Sequence, residues 1–330
     1  MPRRIADGPI RVAVLGFWHV HAADYAERAQ SHPDTELVAV WDEDPDRGQA
    51  GARDFGVEYA GDLAELLARD DLDAVTVTTA TAPHRDVMVR AAAAGKHIFT
   101  EKLLAPTVAE VEEIVAAADA AGVALVVSLP RLYHGSTRAV DDVLAGGALG
   151  RLTYGRVRLS HDGAVAGWLP QRFFDPSEAI GGALTDLGCH PVYLIQRFLG
   201  PDPDTVTATY RSLTGRALED HAVVTVGYAD GRIGVMETGF VSAGPFTIEL
   251  HGPDARLRYS DADGVLRVSG PEGCTELPVP ADGEDAFAQW AGHIRAGTRA
   301  DDNLARAAEL TRLVVAANEA AATGRTRTYP

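Results

Sequence analysis

Lysine is nearly absent from this chain. Of its 30 basic residues 28 are arginine, and the only two lysines, Lys96 and Lys102, both fall in the segment GKHIFTEKLL. Arginine does not release a proton at working pH, whereas a partly buried lysine can. The scarcity marks this segment as a candidate for proton chemistry. Cysteine is as rare, with Cys189 and Cys274 alone. Two distant cysteines make neither a disulfide framework nor a zinc site, and a reducing, cytoplasmic setting is expected. No apolar run reaches the roughly 18 residues of a membrane span. The N-terminal run IRVAVLG breaks at Gly16, too early for a secretory signal, and reads as a buried strand. Positive charge is not in excess either. A formal net charge of −17 argues against nucleic acid and anionic membranes as partners.

What is present suits about two domains in 330 residues. Up to residue 129, strand patterns at 10–15, 36–41, 74–79, 97–101 and 123–129 alternate with helical ones. Thr107 and Glu110 form a capping box, and Gly122 stops the helix that follows. Near-continuous apolar strands between helices imply a parallel sheet covered on both faces. The expected fold of residues 1–129 is a doubly wound α/β sheet of six strands in the order 3-2-1-4-5-6. Beyond Pro130 the rhythm changes. A helix at 136–144, a strand at 152–161 and a loop rich in glycine and aromatics precede a helix at 183–198. Alternating strands follow at 205–213, 221–228, 232–240, 246–251 and 257–260, and helices at 284–296 and 303–322 close the chain. Residues 130–330 are therefore expected to form an α+β domain on an open, mainly antiparallel sheet. Apolar residues on its open face would seek a second copy, giving a homodimer or homotetramer.

The first strand runs into Gly16-Phe17-Trp18-His19-Val20-His21. A dinucleotide fingerprint has glycine at its first, third and sixth positions; here Trp18 and His21 take the last two. A phosphate at this turn would meet the N-terminus of the first helix; a purely structural turn is the competing reading. Asp42 follows the second strand, where an acid binds a ribose 2′-hydroxyl and repels a 2′-phosphate. Glu43 and Asp44 add to that repulsion, so NAD is expected over NADP. An acidic helix cap before Pro45 is the alternative. His19 and His21 lack a third ligand at a recognisable spacing, so no metal is expected. Asp186 and His190, four residues apart, share one face of a helix. With Lys102 they are expected to meet in one active site.

These residues resemble the Gfo/Idh/MocA family of nicotinamide-dependent oxidoreductases over nearly the whole chain. The resemblance rests on Glu101-Lys102, on TAPH at 81–84, on GALGRL at 147–152, and on the GGxxxDxGxH pattern at 181–190. Two steps differ: the glycine-rich turn reads GFWHVH, and the family's Glu-Lys-Pro reads Glu101-Lys102-Leu103. The resemblance implies a Rossmann-type N-terminal domain and a C-terminal domain for substrate binding and oligomerisation. It implies hydride transfer between the nicotinamide and a secondary hydroxyl of a sugar, inositol or related polyol. Lys102, Asp186 and His190 would be catalytic. Gly16, Trp18, His19, Asp42, Thr79, His84, Glu101, Trp168 and Arg172 would face the cofactor. His190 would act as base, Asp186 would orient or polarise it, and Lys102 would bind the reacting oxygen. Arg131, Tyr133 and His161 have the polar or aromatic character of a sugar site. Two other readings compete: a lyase or glycosidase that oxidises transiently and recycles its NAD, and a ligand-binding protein with an altered nucleotide site.

Overall fold

The computed structural model describes residues 2–5 and 7–329. These form two compact units. The first is the chain up to Ser128 together with Glu284–Ala308; the second is Leu129–Gly283 together with the residues from Glu309 onward.

In the first unit, strands β1 (Ile10–Leu15), β2 (Thr35–Trp41), β3 (Glu58–Tyr59), β4 (Ala74–Val77), β5 (His97–Thr100) and β6 (Leu125–Val127) alternate with helices. These are α1 (Ala22–Ser31), α2 (Pro45–Phe55), α3 (Leu63–Leu67), α4 (His84–Ala93) and α5 (Val108–Ala121). All pairings are parallel, in the order β3-β2-β1-β4-β5-β6. This is the expected order, although β3, at two residues, is too short to leave a periodic signal. Strand side chains such as Val12, Val14, Val75, Val77, Ile98 and Val127 are fully buried, each stabilising the unit by about 1.5–3 kcal/mol. Helix ends follow local chemistry. Asp44 caps α2 through the N–H groups of Asp46 and Arg47, with Pro45 in the first turn. Thr107 and Glu110 cap α5 reciprocally, and Gly122 ends it at φ +62°.

The domain expectation of 130–330 needs one revision. Helix α9 (Ala286–Ala296) and the start of α10 (Asp301–Thr323) belong to the first unit. The reason is aromatic packing: Phe99 of β5 lies 5.4 Å from Phe287 and 5.8 Å from Trp290, ring centre to ring centre. Asn303 also donates to the carbonyl of Val127 and accepts from its N–H, extending the β6 edge.

The second unit holds α6 (Gly135–Ala145), α7 (Gly163–Ala166) and α8 (Cys189–Leu199). Its strands are β7 (Tyr154–Ser160), β8 (Thr205–Arg211), β9 (His221–Gly227), β10 (Ile233–Gly239), β11 (Gly244–His251), β12 (Arg256–Ser260), β13 (Val265–Gly270), β14 (Gly273–Leu277) and β15 (Arg327–Thr328). They form one open sheet, β14-β13-β12-β11-β7-β10-β9-β8-β15, antiparallel except where β7 pairs with β10. Strands β13, β14 and β15 were not anticipated; β14 is largely exposed and β15 has two residues. One face packs on α8. The other departs from the apolar surface expected. Its rows carry Arg156 and Arg158 of β7, Glu237 of β10, Glu249 of β11 and Arg258 of β12, tied into ion pairs of 2.7–3.9 Å. Val223 and Ile233 are the large apolar residues exposed on these strands.

Candidate active site

In the first unit, the candidate residues gather at the carboxyl ends of the parallel strands, where ligands of doubly wound sheets bind. Gly16 ends β1 at φ +91°, and a Cβ there would lie 2.8 Å from the backbone of Thr79. Only glycine fits. Thr79 thus lies directly beneath the turn, and the neighbouring Thr78 hydroxyl donates to the Gly16 carbonyl at 2.5 Å. Trp18 is only 3% exposed. Its side chain is packed within the protein, and Gly16 still takes the first glycine position of the fingerprint, which fits a dinucleotide despite the missing third glycine. His21 is exposed and pairs with Asp24 at 2.8 Å.

Asp42 is placed differently from the expectation. Its side chain is fully buried, and both carboxylate oxygens are engaged. They accept from the Phe17 N–H at 2.6 Å, the Asp44 N–H at 2.8 Å and the Arg47 fork at 2.6 and 2.8 Å. Asp42 therefore pins the turn after β1 to the end of β2. Arg47 also lies 3.4 Å from Glu43 and 3.8 Å from Asp44.

Glu101 and Lys102 follow β5. Glu101 is buried; its carboxylate accepts from the Tyr25 hydroxyl at 2.6 Å and from the Lys102 N–H at 2.9 Å. Tyr25 in turn lies 2.6 Å from the Ser128 hydroxyl. Burial pushes the Glu101 carboxyl up, but the charges of Lys102, His19 and His21 outweigh it and hold the group at about 2. The Lys102 ammonium is 3.6 Å from Glu101 and 3.4 Å from His19 Nε2. His19 Nδ1 accepts from the His21 N–H at 3.2 Å. His19 is thus brought to Lys102, the lysine singled out in the sequence. His84 is buried, and its Nδ1 lies 2.9 Å from the Leu103 carbonyl and 3.3 Å from that of Leu104. It clamps the chain just beyond Lys102, where the Lys102–Leu103 peptide is cis.

In the second unit, Asp186 and His190 do not share a regular α-helix. Leu184–Gly188 forms a π-helical turn that holds Asp186, and α8 begins beyond it, with His190 in its first turn. Such turns are frequent at functional sites. His190 Nδ1 lies 2.7 Å from the Tyr193 hydroxyl, which accepts from the Arg131 N–H at 3.1 Å. The Arg131 guanidinium stacks on Phe246 at 4.1 Å, and burial lowers its pKa. His161 stacks on Phe240 at 4.9 Å and meets Trp168 at 4.5 Å. Burial lowers the His161 pKa, partly offset by the negative charge of Asp186. Arg131, His161, Asp186 and His190 therefore belong to one neighbourhood of this unit. Tyr133 is half-buried after the turn Pro130–Leu132; Trp168 is exposed and Arg172 half-buried. Among the described residues no cluster of three or more His, Cys, Asp or Glu could hold a metal ion, and no helix is long and apolar enough to cross a membrane. Residue types alone did not reveal Tyr25, Arg47, Tyr193 or Glu219, which act as partners of the residues they hold.

Comparison with known proteins identifies both parts of the chain. Residues 10–129 match the model of an oxidoreductase family with an NAD-binding Rossmann fold, and residues 137–258 match the GFO/IDH/MocA C-terminal domain. A dTDP-3,4-didehydro-2,6-dideoxy-alpha-D-glucose 3-reductase from Streptomyces antibioticus is 30% identical over 77% of this chain and 76% of its own. A 1,5-anhydro-D-fructose reductase from Ensifer adhaerens is 30% identical over 74% of this chain and 75% of its own. The crystal structure of a 3-ketoreductase from Actinomadura kijaniata, in complex with NADP and TDP-benzene, shares the fold. Its TM-score is 0.84 at 24% identity, over 95% of this chain and 98% of that one.

Proposed function

The chain belongs to the Gfo/Idh/MocA family of oxidoreductases, and from that premise we propose that it moves a hydride between NAD and a secondary hydroxyl of a sugar, inositol or related polyol. The observation that carries this reading is the buried Lys102, held between Glu101 and His19 at the carboxyl end of β5. The nicotinamide supplies the redox step when bound. Lys102 binds the reacting oxygen, and the Glu101 carboxylate compensates its charge. His190 takes the hydroxyl proton in oxidation and returns it in reduction. For Nε2 to take that proton Nδ1 must carry its own, so Nδ1–H donates to the Tyr193 hydroxyl, 2.7 Å away, in both protonation states of the ring. Asp186 supplies the negative charge that favours the protonated imidazole.

The NAD preference rests on electrostatics rather than on a direct Asp42 contact. Arg47 is the local cation, and Asp42, Glu43 and Asp44 together over-compensate it. A 2′-phosphate would enter a net negative site. Calorimetry should give tighter binding of NAD than of NADP, and the joint change Glu43→Gln and Asp44→Asn should narrow the gap. Equal or NADP-favouring affinity in the unmodified protein overturns the preference.

The reaction is tested by incubating the protein with NAD and a panel of sugars and polyols and following reduced nicotinamide. Net NADH formation with a secondary alcohol is the expected result. Product without net NADH would mean a lyase or glycosidase, and failure to bind either dinucleotide would mean a binding protein.

A further inference from the structure

The π-helical turn that holds Asp186 is itself held from outside, by a residue of the loop that leads into β9. Glu219 reaches back to the paired glycines. Its Oε1 accepts from the N–H groups of Gly182 and Leu184, both at 3.1 Å, and its Oε2 lies 3.1 Å from the Gly182 N–H. Its backbone carbonyl accepts from the Ala183 N–H at 3.0 Å. Three successive amides thus end on one residue. The approach is close: a Cβ on Gly182 would lie 2.0 Å from the Glu219 carbonyl oxygen and 2.8 Å from its Oε2. The second glycine of the pattern is required by Glu219. The hold is passed on, because the Gly182 carbonyl accepts from the Asp186 N–H at 3.0 Å. The neighbouring Asp220 faces the other way and caps its own hairpin through the N–H groups of Leu213 and Thr214 and the Thr214 hydroxyl. The two adjacent acids divide the work of fixing the loop and fixing the turn.

We propose that Glu219 is a positioning residue for the reaction, setting the turn from which Asp186 and His190 are presented. The inference rests on the redox reading above. Burial pushes the Glu219 carboxyl up, only partly offset by the amides it accepts from. A neutral side chain of the same shape should therefore serve, since a single oxygen can take both N–H bonds.

The test uses the full chain with Glu219→Ala, Glu219→Asp and Glu219→Gln. Hydrogen exchange reads the Gly182 and Leu184 amides, calorimetry reads NAD binding, and steady-state kinetics reads kcat. Glu219→Gln should keep amide protection and turnover near the unmodified values. Glu219→Ala should lose protection, and kcat should fall on the order of 10²-fold, the cost of misplacing a catalytic group by about 1 Å. NAD affinity should stay within about twofold of the unmodified protein, since the nucleotide turn lies in the other unit. If Glu219→Ala fails to fold, Glu219→Asp carries the test, its carboxylate drawn back by one methylene. Unchanged kcat in Glu219→Ala and Glu219→Asp overturns the inference, as does unchanged amide protection or a Glu219→Gln variant as damaged as Glu219→Ala. Absence of turnover in the unmodified protein counts against the redox reading instead, and the exchange arm still reports whether Glu219 holds the turn.

Discussion

At the scale of single residues, the two lysines separate cleanly. Lys96 donates to the carbonyls of Arg69 and Leu72 at 2.7 and 2.9 Å; a compact ammonium fits between two carbonyls of one loop, a site that suits a point charge better than a planar guanidinium. Lys102 faces a carboxylate and an imidazole, groups that exchange protons. Lys102→Arg keeps the charge and removes the exchangeable proton. Turnover should fall by roughly 10²-fold or more, as for loss of a positioned acid–base group, with the fold retained by circular dichroism. Near-normal turnover would reduce Lys102 to charge balance. His190→Asn should be similarly damaging and should flatten the rise of rate with pH near neutrality. Lys102, Asp186 and His190 stand out as candidates in the sequence because rarity and spacing mark them. Their partners do not. Arg47 is one arginine among 28, and nothing in its neighbourhood says that its fork closes on Asp42. Such an assignment needs coordinates, because it depends on which of several nearby charges a rotamer reaches.

Elements were legible where length and period agree. The six-stranded order follows from apolar strands alternating with capped helices, whereas the two-residue strands β3 and β15 carry no period. The π-helical turn was read as ordinary helix because i and i+4 spacing suits either. Buried histidines in the first unit lead to a pH prediction. His97 Nδ1 accepts from the Ala124 N–H at 2.9 Å, and burial, aided by Arg3, holds the ring at about 4. Burial likewise holds His84 at about 4. Unfolded histidine titrates near ~6.5. Between those values the unfolded chain binds protons that the folded chain refuses, so stability rises with pH in that window. The contribution is complete above about pH 6.5 and is lost as pH falls towards 4, by roughly a few kcal/mol in all. His134, His161 and His293 are lowered in the same sense by burial. The urea midpoint should drop between about pH 7.5 and 5, a range that stays above the usual carboxylate values. His97→Gln, which keeps an acceptor for Ala124 but cannot titrate, should shrink that drop. An equal drop in the variant would assign the acid sensitivity elsewhere.

At the scale of the whole molecule, the boundary near residue 129 was legible as a change from alternating strand and helix to successive strands. The return of α9 to the first unit was not, because it depends on a contact between Phe99 and Trp290, distant in sequence. The expectation of a second copy needs a different physical basis from the one that alternation suggested. The outward face of the nine-stranded sheet carries a lattice of Arg156, Arg158, Glu237, Glu249 and Arg258, with Val223 and Ile233 exposed by 44% and 45%. A face with both signs interleaved can meet its own copy across a two-fold axis, arginine rows against glutamate rows. Two copies joined this way would form a homodimer whose affinity falls as salt screens the pairs, most steeply once the Debye length drops below about 8 Å. Sedimentation equilibrium at low and high ionic strength should show the dimer weakening with salt. Val223→Asp adds a like charge opposite Glu237, its partner in the β9–β10 register, and should weaken the dimer further while leaving the monomer folded. A monomer at every concentration and ionic strength would remove the dimer. A dimer indifferent to both salt and Val223→Asp would place its interface on another surface.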